Sequence, residues 1–220
     1  MDIYEQLKKY TDYSLGLSKD KCSLFFEDIT LYNTIFTNYD LNNSSFLEVN
    51  FKGCDFSKVY LSGASLFGST FEDCIFKENI YIKGNSDYAI FKKSNIAGIN
   101  AFRTSFYECD FSEMTIIDSE MRNCSFINFN ASFSNVIFKN VNFDISSFHS
   151  SIFHNVKFID CSFEKLRFDE AVGIESVDFK NTTIILNGET KIYLGNEIKN
   201  YFSKLGCYNS DLTVSEVNQK

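Results

Sequence analysis

Phe133-Ser134-Asn135-Val136-Ile137-Phe138-Lys139-Asn140-Val141-Asn142-Phe143 opens a run in which phenylalanine returns at every fifth residue, continuing through Phe148, Phe153, Phe158, Phe163 and Phe168. A helix repeats near 3.6 residues and a strand at 2, so a strict five fits neither. It fits a chain that runs extended for a few residues, turns a corner and repeats.

Working outward, the same ladder begins near Phe26. It continues through Leu31, Phe36, Leu41, Phe46, Phe51, Phe56, Leu61, Leu66, Phe71 and Phe76. After an interruption the phase returns with Phe91, Ile96, Ala101, Phe106, Phe111, Ile116, Met121 and Phe126, then slips by two residues before Phe133. Of the 25 Phe in the chain, 19 occupy this central position, which points to one repeated environment rather than a varied core. Two residues before each centre stand small or β-branched residues such as Val49, Cys54, Ala64, Cys74, Val136, Val141 and Cys161. Residues two apart on an extended segment face the same way, so this slot and the centre share the interior. The remaining three positions are mostly Asn, Asp, Glu, Lys, Ser and Thr, as a solvated exterior requires.

These units, including Cys54-Asp55-Phe56-Ser57-Lys58, Cys109-Asp110-Phe111-Ser112-Glu113 and Cys161-Ser162-Phe163-Glu164-Lys165, resemble the repeat of the pentapeptide repeat family across roughly residues 22–186. The resemblance implies an all-β fold: a right-handed quadrilateral β-helix, with four five-residue faces making one square coil of twenty residues. About eight coils at the ~4.8 Å strand spacing give a rod of about 40 Å.

The flanks read differently. Residues 2–19 suit a short amphipathic helix, with Ile3, Tyr4, Leu7 and Tyr10 or Tyr13 on one side, so 1–21 is expected to cap the first coil. Residues 79–90 break the ladder: Ser86 stands where a large centre is due, and Gly84-Asn85-Ser86-Asp87 is turn chemistry. Either a degenerate coil half is retained or about ten residues are looped out, and the turn residues favour a loop at 79–90. The slip at Ile127-Asn128-Phe129-Asn130 calls for a bulge or small corner loop. Beyond Phe168 the repeat decays through Ile174, Phe179 and Ile184 with a further one-residue slip, and Asn187-Gly188 marks a turn. A C-terminal helix is expected over 196–205 within the segment 187–208, with Asn196 as N-cap and Gly206 beyond its end. Its Ile198, Tyr201, Phe202 and Leu205 form one apolar stripe at i, i+3, i+4 and i+7. An apolar stripe at a rod end needs covering, which favours a homodimer, with a folded-back cap as the alternative. Residues 209–220 read as a flexible tail.

Charge and chemistry narrow the function. Residues 1–21 carry four acids and four bases and residues 187–220 again four and four, so the net charge of −8 lies wholly on the repeat region. That favours a partner with a basic surface and disfavours direct nucleic-acid binding. Over about 40 Å it is about one charge per 5 Å, against one per ~1.7 Å in DNA, so any imitation of DNA rests on shape and charge placement. No run approaches the ~18 apolar residues of a membrane span, and the start Met1-Asp2-Ile3-Tyr4-Glu5 lacks a signal peptide's basic and apolar regions, so a cytoplasmic location is expected. Of the seven Cys, five (Cys54, Cys74, Cys109, Cys124, Cys161) fall in the small slot, and no C-x-x-C spacing exists. Cys54 and Cys74, twenty apart, read as stacked neighbours within disulfide reach, held as thiols in a reducing compartment. His149 and His154 each follow a centre and face outward on successive sides. No metal, no cofactor and no enzyme activity is expected.

A finer resemblance concerns the ladder, its mid-chain break, the two-residue slip and the terminal Phe202-Ser203-Lys204-Leu205-Gly206. Together they are similar to the quinolone-resistance (Qnr-type) members of the family. That similarity implies a rod that binds a bacterial type II topoisomerase, DNA gyrase or topoisomerase IV, and protects it from quinolones. Tyr81, Lys83, Asn85, Asp87 and Tyr88 are the expected partner contacts, and Ile198, Tyr201, Phe202 and Leu205 the expected dimer contacts. The competing reading is a scaffold whose exposed apolar residues (Leu47, Phe67, Tyr107, Ile117, Ile127, Ile159) dock another protein, or a toxin-immunity protein.

Overall fold

The structure is a computed structural model that describes residues 2–186 except 131, 166 and 169, then 189–193, 197 and 200. Each five-residue unit supplies one face of a square coil. Where a face is extended, three residues pair in parallel with the residues twenty before and twenty after. Asn50–Lys52 thus lies between Thr30–Tyr32 and Thr70–Glu72, with Phe51 in register with Leu31 and Phe71. Flatter faces meet through single bridges such as Asp55 to Ile75 and Ser65 to Asn85. Repeating this through about eight coils makes a right-handed quadrilateral β-helix.

The centres stack as four columns down the axis. Phe36, Phe56 and Phe76 lie ring on ring at 4.4 and 4.8 Å, and Phe51, Phe71 and Phe91 at 4.8 and 4.8 Å. Rings of adjacent columns meet edge to face, as Phe51 and Phe56 do at 5.1 Å and 77°. Each ring therefore packs in both of the arrangements that aromatic quadrupoles prefer.

The small slot does more than leave room. Its side chains donate to the carbonyl of the centre on the preceding face one coil back, 23 residues earlier. Ser69 Oγ reaches Phe46 O at 3.1 Å, Ser94 Oγ Phe71 O at 3.1 Å, Thr104 Oγ1 Tyr81 O at 2.6 Å, and Cys109 Sγ Ser86 O at 2.8 Å. A buried hydroxyl or thiol must find an acceptor, and here the fold provides one at the same place in each coil. Hence Ser, Thr and Cys share the slot with Ala and Val.

The corners are made two residues after each centre, where the backbone enters the left-handed region. Asp28, Asn33, Asn38 and Asn43 have φ of 50°, 49°, 73° and 57°, and Gly53 and Gly63 follow at 63° and 70°. Asn, Asp and Gly tolerate this conformation best, while a β-branched residue there is an outlier. Ile145 is such a residue, with φ 59° and half its surface exposed.

At the N-terminal end the helix Ile3–Ser14 covers the first coil, burying Leu7 and Tyr10 against the core. The Tyr10 hydroxyl donates to Asn42 O, Ser14 Oγ to Asp40 Oδ2 at 2.8 Å, and Asp40 N to Thr11 Oγ1 at 3.0 Å.

The expected loop over 79–90 is not a loop. Ile80–Ile82 pairs with Asn100–Phe102, Asn85 bridges both Ser65 and Ser105, and Tyr88 N donates to Tyr107 O at 2.8 Å. The stretch is an ordinary half-coil whose interior residues have exchanged volume. Ser86 is small at a centre, and the Tyr81 ring from the neighbouring column leans into its place, its hydroxyl 2.9 Å from Ser86 Oγ. Gly84 makes this possible, since a Cβ there would overlap the Tyr81 ring. A residual apolar cavity of about 10 Å³ remains beside Tyr81, lined also by Leu66, Phe106 and Met121.

The two-residue slip is taken up at 127–130, so Phe111 pairs with Phe133, twenty-two residues on. Asn128 turns inward and its Oδ1 accepts from Cys109 N at 3.1 Å. Both Glu108 carboxylate oxygens cap the insertion, accepting from Phe129 N at 3.1 Å and Asn130 N at 3.0 Å. The later one-residue slip falls at the short 3₁₀ turn Ile174–Ser176, after which Phe158 pairs with Phe179. Gly173, at φ 82°, passes so close to Phe153 O that no side chain fits.

Near the start of the segment 187–208, Glu189–Tyr193 forms an antiparallel strand on Thr182–Leu186. Ile198, Tyr201, Phe202 and Leu205, Asn187-Gly188 and the tail lie outside the described residues.

Two stability outcomes follow from this packing. Ile145→Asn relieves a β-branched left-handed corner and is expected to add about 1 kcal/mol, a rise in Tm of about 2–4 °C; an unchanged or lower Tm in a thermal melt contradicts the corner account. Gly84→Ala should cost roughly 1–3 kcal/mol through overpacking, and much less in a Tyr81→Leu background. A denaturant double-mutant cycle reads the coupling, and additive costs would show that Tyr81 does not occupy the Gly84–Ser86 space.

Candidate functional site

The four sides of the rod differ in what their corners carry. Consider the two residues after each centre on the face built over Phe26, Phe46, Leu66, Ser86, Phe106, Phe126, Phe148 and Phe168. They include Glu27, Asp28, Glu48, Asp87, Glu108 and Glu170, and no Lys or Arg among the described residues. The other faces place Lys52, Lys92 and Lys93, or Lys58, Lys77 and Lys139, or Lys83, Arg103 and Arg122 at the same positions. One edge of the rod therefore carries acids and no Lys or Arg at its described corner positions, although the acids as a whole are distributed around it.

Along that acidic edge runs a second, external line of rings. Phe67 meets Tyr88 at 5.3 Å and 63°, Tyr88 meets Tyr107 at 5.6 Å and 81°, Tyr107 meets Phe129 at 6.5 Å and 63°, and Phe129 meets His149 at 6.1 Å and 86°. All four contacts are edge to face, and the line crosses five successive coils. Tyr88 is 50% exposed and Phe67 37%, with Tyr107, Phe129 and His149 half-buried. Phe129 joins the line because the insertion at 127–130 carries it outward.

Carboxylates are fixed beside the rings. Asp87 Oδ1 accepts from Tyr107 N at 3.1 Å and from the Ser105 hydroxyl, and Asp87 N donates to Asn85 Oδ1 at 2.7 Å. Glu108 is held by the backbone of the insertion. Glu170 Oε2 lies 3.6 Å from His149 Nε2 and accepts from Ser150 Oγ at 3.1 Å. Partial removal from water, then the nearness of Glu108, Tyr88 and Asp87, raises the Tyr107 hydroxyl above its usual pKa.

Of the expected partner contacts, Tyr81 is only 2% exposed and belongs to the core, where burial holds its hydroxyl protonated. A ring committed to the interior cannot touch a partner, so Tyr81 is withdrawn from the set. Lys83 is exposed at the corner that precedes this face, Asn85 lies half-buried in its middle, and Asp87 and Tyr88 stand at its acidic edge. Phe67 and Tyr107 appear in the alternative set of exposed apolar residues, but Phe129 and His149 enter only through the structure. Their signal is visible in retrospect: positions 67, 88, 107, 129 and 149 recur at close to one coil each.

The cysteines of the described residues are unbridged. Cys54 and Cys74 are free thiols, as are Cys22, Cys109, Cys124 and Cys161. Burial pushes Cys124 and Cys161 up to about 12 and Cys109 well above its ordinary value, so these three stay protonated at neutral pH. No group of three or more His, Cys, Asp or Glu among the described residues could hold a metal ion. No helix among them is long and apolar enough to cross a membrane.

Against known proteins, the family model described as pentapeptide repeats matches in 8 copies, over residues 26–63, 34–73 and 129–164. No curated protein matches the sequence. Among solved structures the chain is similar to trypsin-treated QnrB1, a plasmid-mediated fluoroquinolone resistance protein, at 16% identity and TM-score 0.48, covering 84% of this chain and 97% of that one. It is similar to the pentapeptide repeat protein Rfr23 from the cyanobacterium Cyanothece at 15% identity and TM-score 0.39, covering 63% and 97%. It is also similar to HetL, a pentapeptide repeat protein involved in heterocyst differentiation regulation from the cyanobacterium Nostoc, at 14% identity and TM-score 0.31, covering 88% and 100%. With the repeat match on both sides of the mid-chain break and five-residue faces closing square coils through the described residues, the chain carries pentapeptide repeats over residues 26–73 and 129–164.

Proposed function

We propose that this rod binds a bacterial type II topoisomerase, DNA gyrase or topoisomerase IV, in the cytoplasm. It would occupy the basic surface that otherwise receives DNA and protect the enzyme from quinolone-type inhibitors, acting as a binding protein rather than an enzyme. The observation that carries the reading is the placement of charge: the whole excess of acid lies on the repeat region, and one edge of a rod about 40 Å long lacks basic corner residues. The Qnr-type organisation of the sequence supports the choice of enzyme. Lys83, Asn85, Asp87 and Tyr88 are the contact residues on this reading. Ile198, Tyr201, Phe202 and Leu205 join two rods end to end.

A specific observation favours a second reading. The external line of rings suits a protein-docking scaffold or an immunity protein whether or not the partner is a topoisomerase.

In a gyrase supercoiling assay with a fluoroquinolone, micromolar protein is expected to restore supercoiling. Neither rescue nor inhibition at that concentration removes the topoisomerase reading. Light scattering on the full chain should give twice the monomer mass, falling to the monomer on Phe202→Asp. A monomeric parent protein would end the dimer proposal.

A further inference from the structure

The ring line and its carboxylates form one continuous feature that the interior does not need. Its rings are spaced 5.3 to 6.5 Å apart, and Glu48, Asp87 and Glu108 take part in no ion pair among the described residues. Asp87 and Glu108 are pinned by backbone N–H groups, so their charge is held in place beside Tyr88, Tyr107 and Phe129 without being neutralised by a cation.

We propose that this edge, from Phe67 to His149, docks an extended, arginine-bearing segment of a protein partner, with guanidinium groups laid on the rings and bonded to the neighbouring carboxylates. A ring face attracts a cation, and a carboxylate beside it completes the site for a planar fork of N–H donors. Lysine, a compact and strongly hydrated charge, gains less from either element. The fold already makes such a contact elsewhere: Arg103 Cζ stands 5.1 Å over the Phe102 ring. Extended backbone presents alternate side chains on one side about 6.6–6.8 Å apart, somewhat more than the 5.3–6.5 Å between successive rings, so arginine at every second position meets neighbouring rings over a short stretch of the line. Single-stranded nucleic acid also stacks on exposed rings, but its phosphates would meet the carboxylates, and no Lys or Arg shares these corner positions. The proposal holds whichever protein supplies the segment, and so stands apart from the topoisomerase reading.

The test uses the full chain and fluorescence anisotropy at low salt, with three labelled probes: a short peptide alternating Arg and Thr, its Lys counterpart, and a single-stranded DNA oligonucleotide. The Arg peptide is expected to bind roughly tenfold more tightly than the Lys peptide, and the oligonucleotide not at all. Tyr88→Ser combined with Tyr107→Ser should bring the two peptides close to parity, while Tyr32→Ser, an exposed ring on another face, leaves the preference intact. A thermal melt confirms that the double variant is folded; if it is not, Phe67→Ser alone is read in the same way. Equal binding of the two peptides, a preference that survives loss of the rings, or oligonucleotide binding as tight as that of the Arg peptide would each overturn the proposal.

Discussion

Everything in this rod depends on a corner that L-amino acids disfavour. Each five-residue face ends with a residue in the left-handed region, and most of these are not glycine: Lys58, Glu78, Arg103 and Glu113 all have φ between 53° and 61°. An isolated left-handed residue costs about 1–2 kcal/mol. The coil offsets this only by stacking, because each turned face gains backbone hydrogen bonds to the coils before and after it and places one large side chain in a column. Stability is therefore shared between nearest neighbours along the axis, as in other solenoids. The ends need cover, which explains the weight of contacts that the short helix Ile3–Ser14 makes with the first coil.

The same constraint separates inside from outside. A centre and a small slot are fixed in every five residues, so the interior has little freedom to differ from coil to coil. The exterior has much, and stacking brings residues about twenty apart into contact. Lys52 with Glu72 at 3.5 Å, Asn140 Nδ2 with Asp118 Oδ1 at 2.8 Å and Asn155 Nδ2 with Asn135 Oδ1 at 2.7 Å are such external ladders. Exposed pairs of this kind add little stability individually. Their importance lies in the pattern that a column can display, and the line from Phe67 to His149 is the most extended aromatic case.

The ladder itself was legible because a five-residue period has few structural solutions, and the phase slips were legible as departures from it. The half-coil at 79–90 was misread for a definite reason. A one-dimensional pattern scores Ser86 as a missing centre and Gly84 as a turn residue, but the ring that replaces Ser86 comes from Tyr81 in the adjacent column. Volume exchanged sideways between columns leaves no periodic trace. The strand Glu189–Tyr193 pairs antiparallel outside the five-residue ladder, so the period carries no sign of it. The outer rings escaped grouping because Tyr88 stands one position later than Phe67 and Tyr107, and Phe129 lies inside the slip.

That last displacement bears on what the irregularities are for. A perfect twenty-residue coil at 127–130 would continue the corner of Tyr107 and Glu108 without Phe129. The insertion instead buries Asn128 and needs both oxygens of Glu108 to hold Phe129 N and Asn130 N. In the core it yields an amide in place of an apolar side chain, which by itself is no gain in packing. Outside, it yields the ring that bridges Tyr107 to His149 and keeps the line unbroken. The half-coil at 79–90 follows the same logic: its interior needs the Tyr81 exchange to close, while its exterior contributes Asp87 and Tyr88. At both places the repeat departs from its rule inside, and the departure coincides with aromatic and acidic groups on one edge. A surface selected only for solubility gives no reason for that coincidence, whereas a surface selected for contact does.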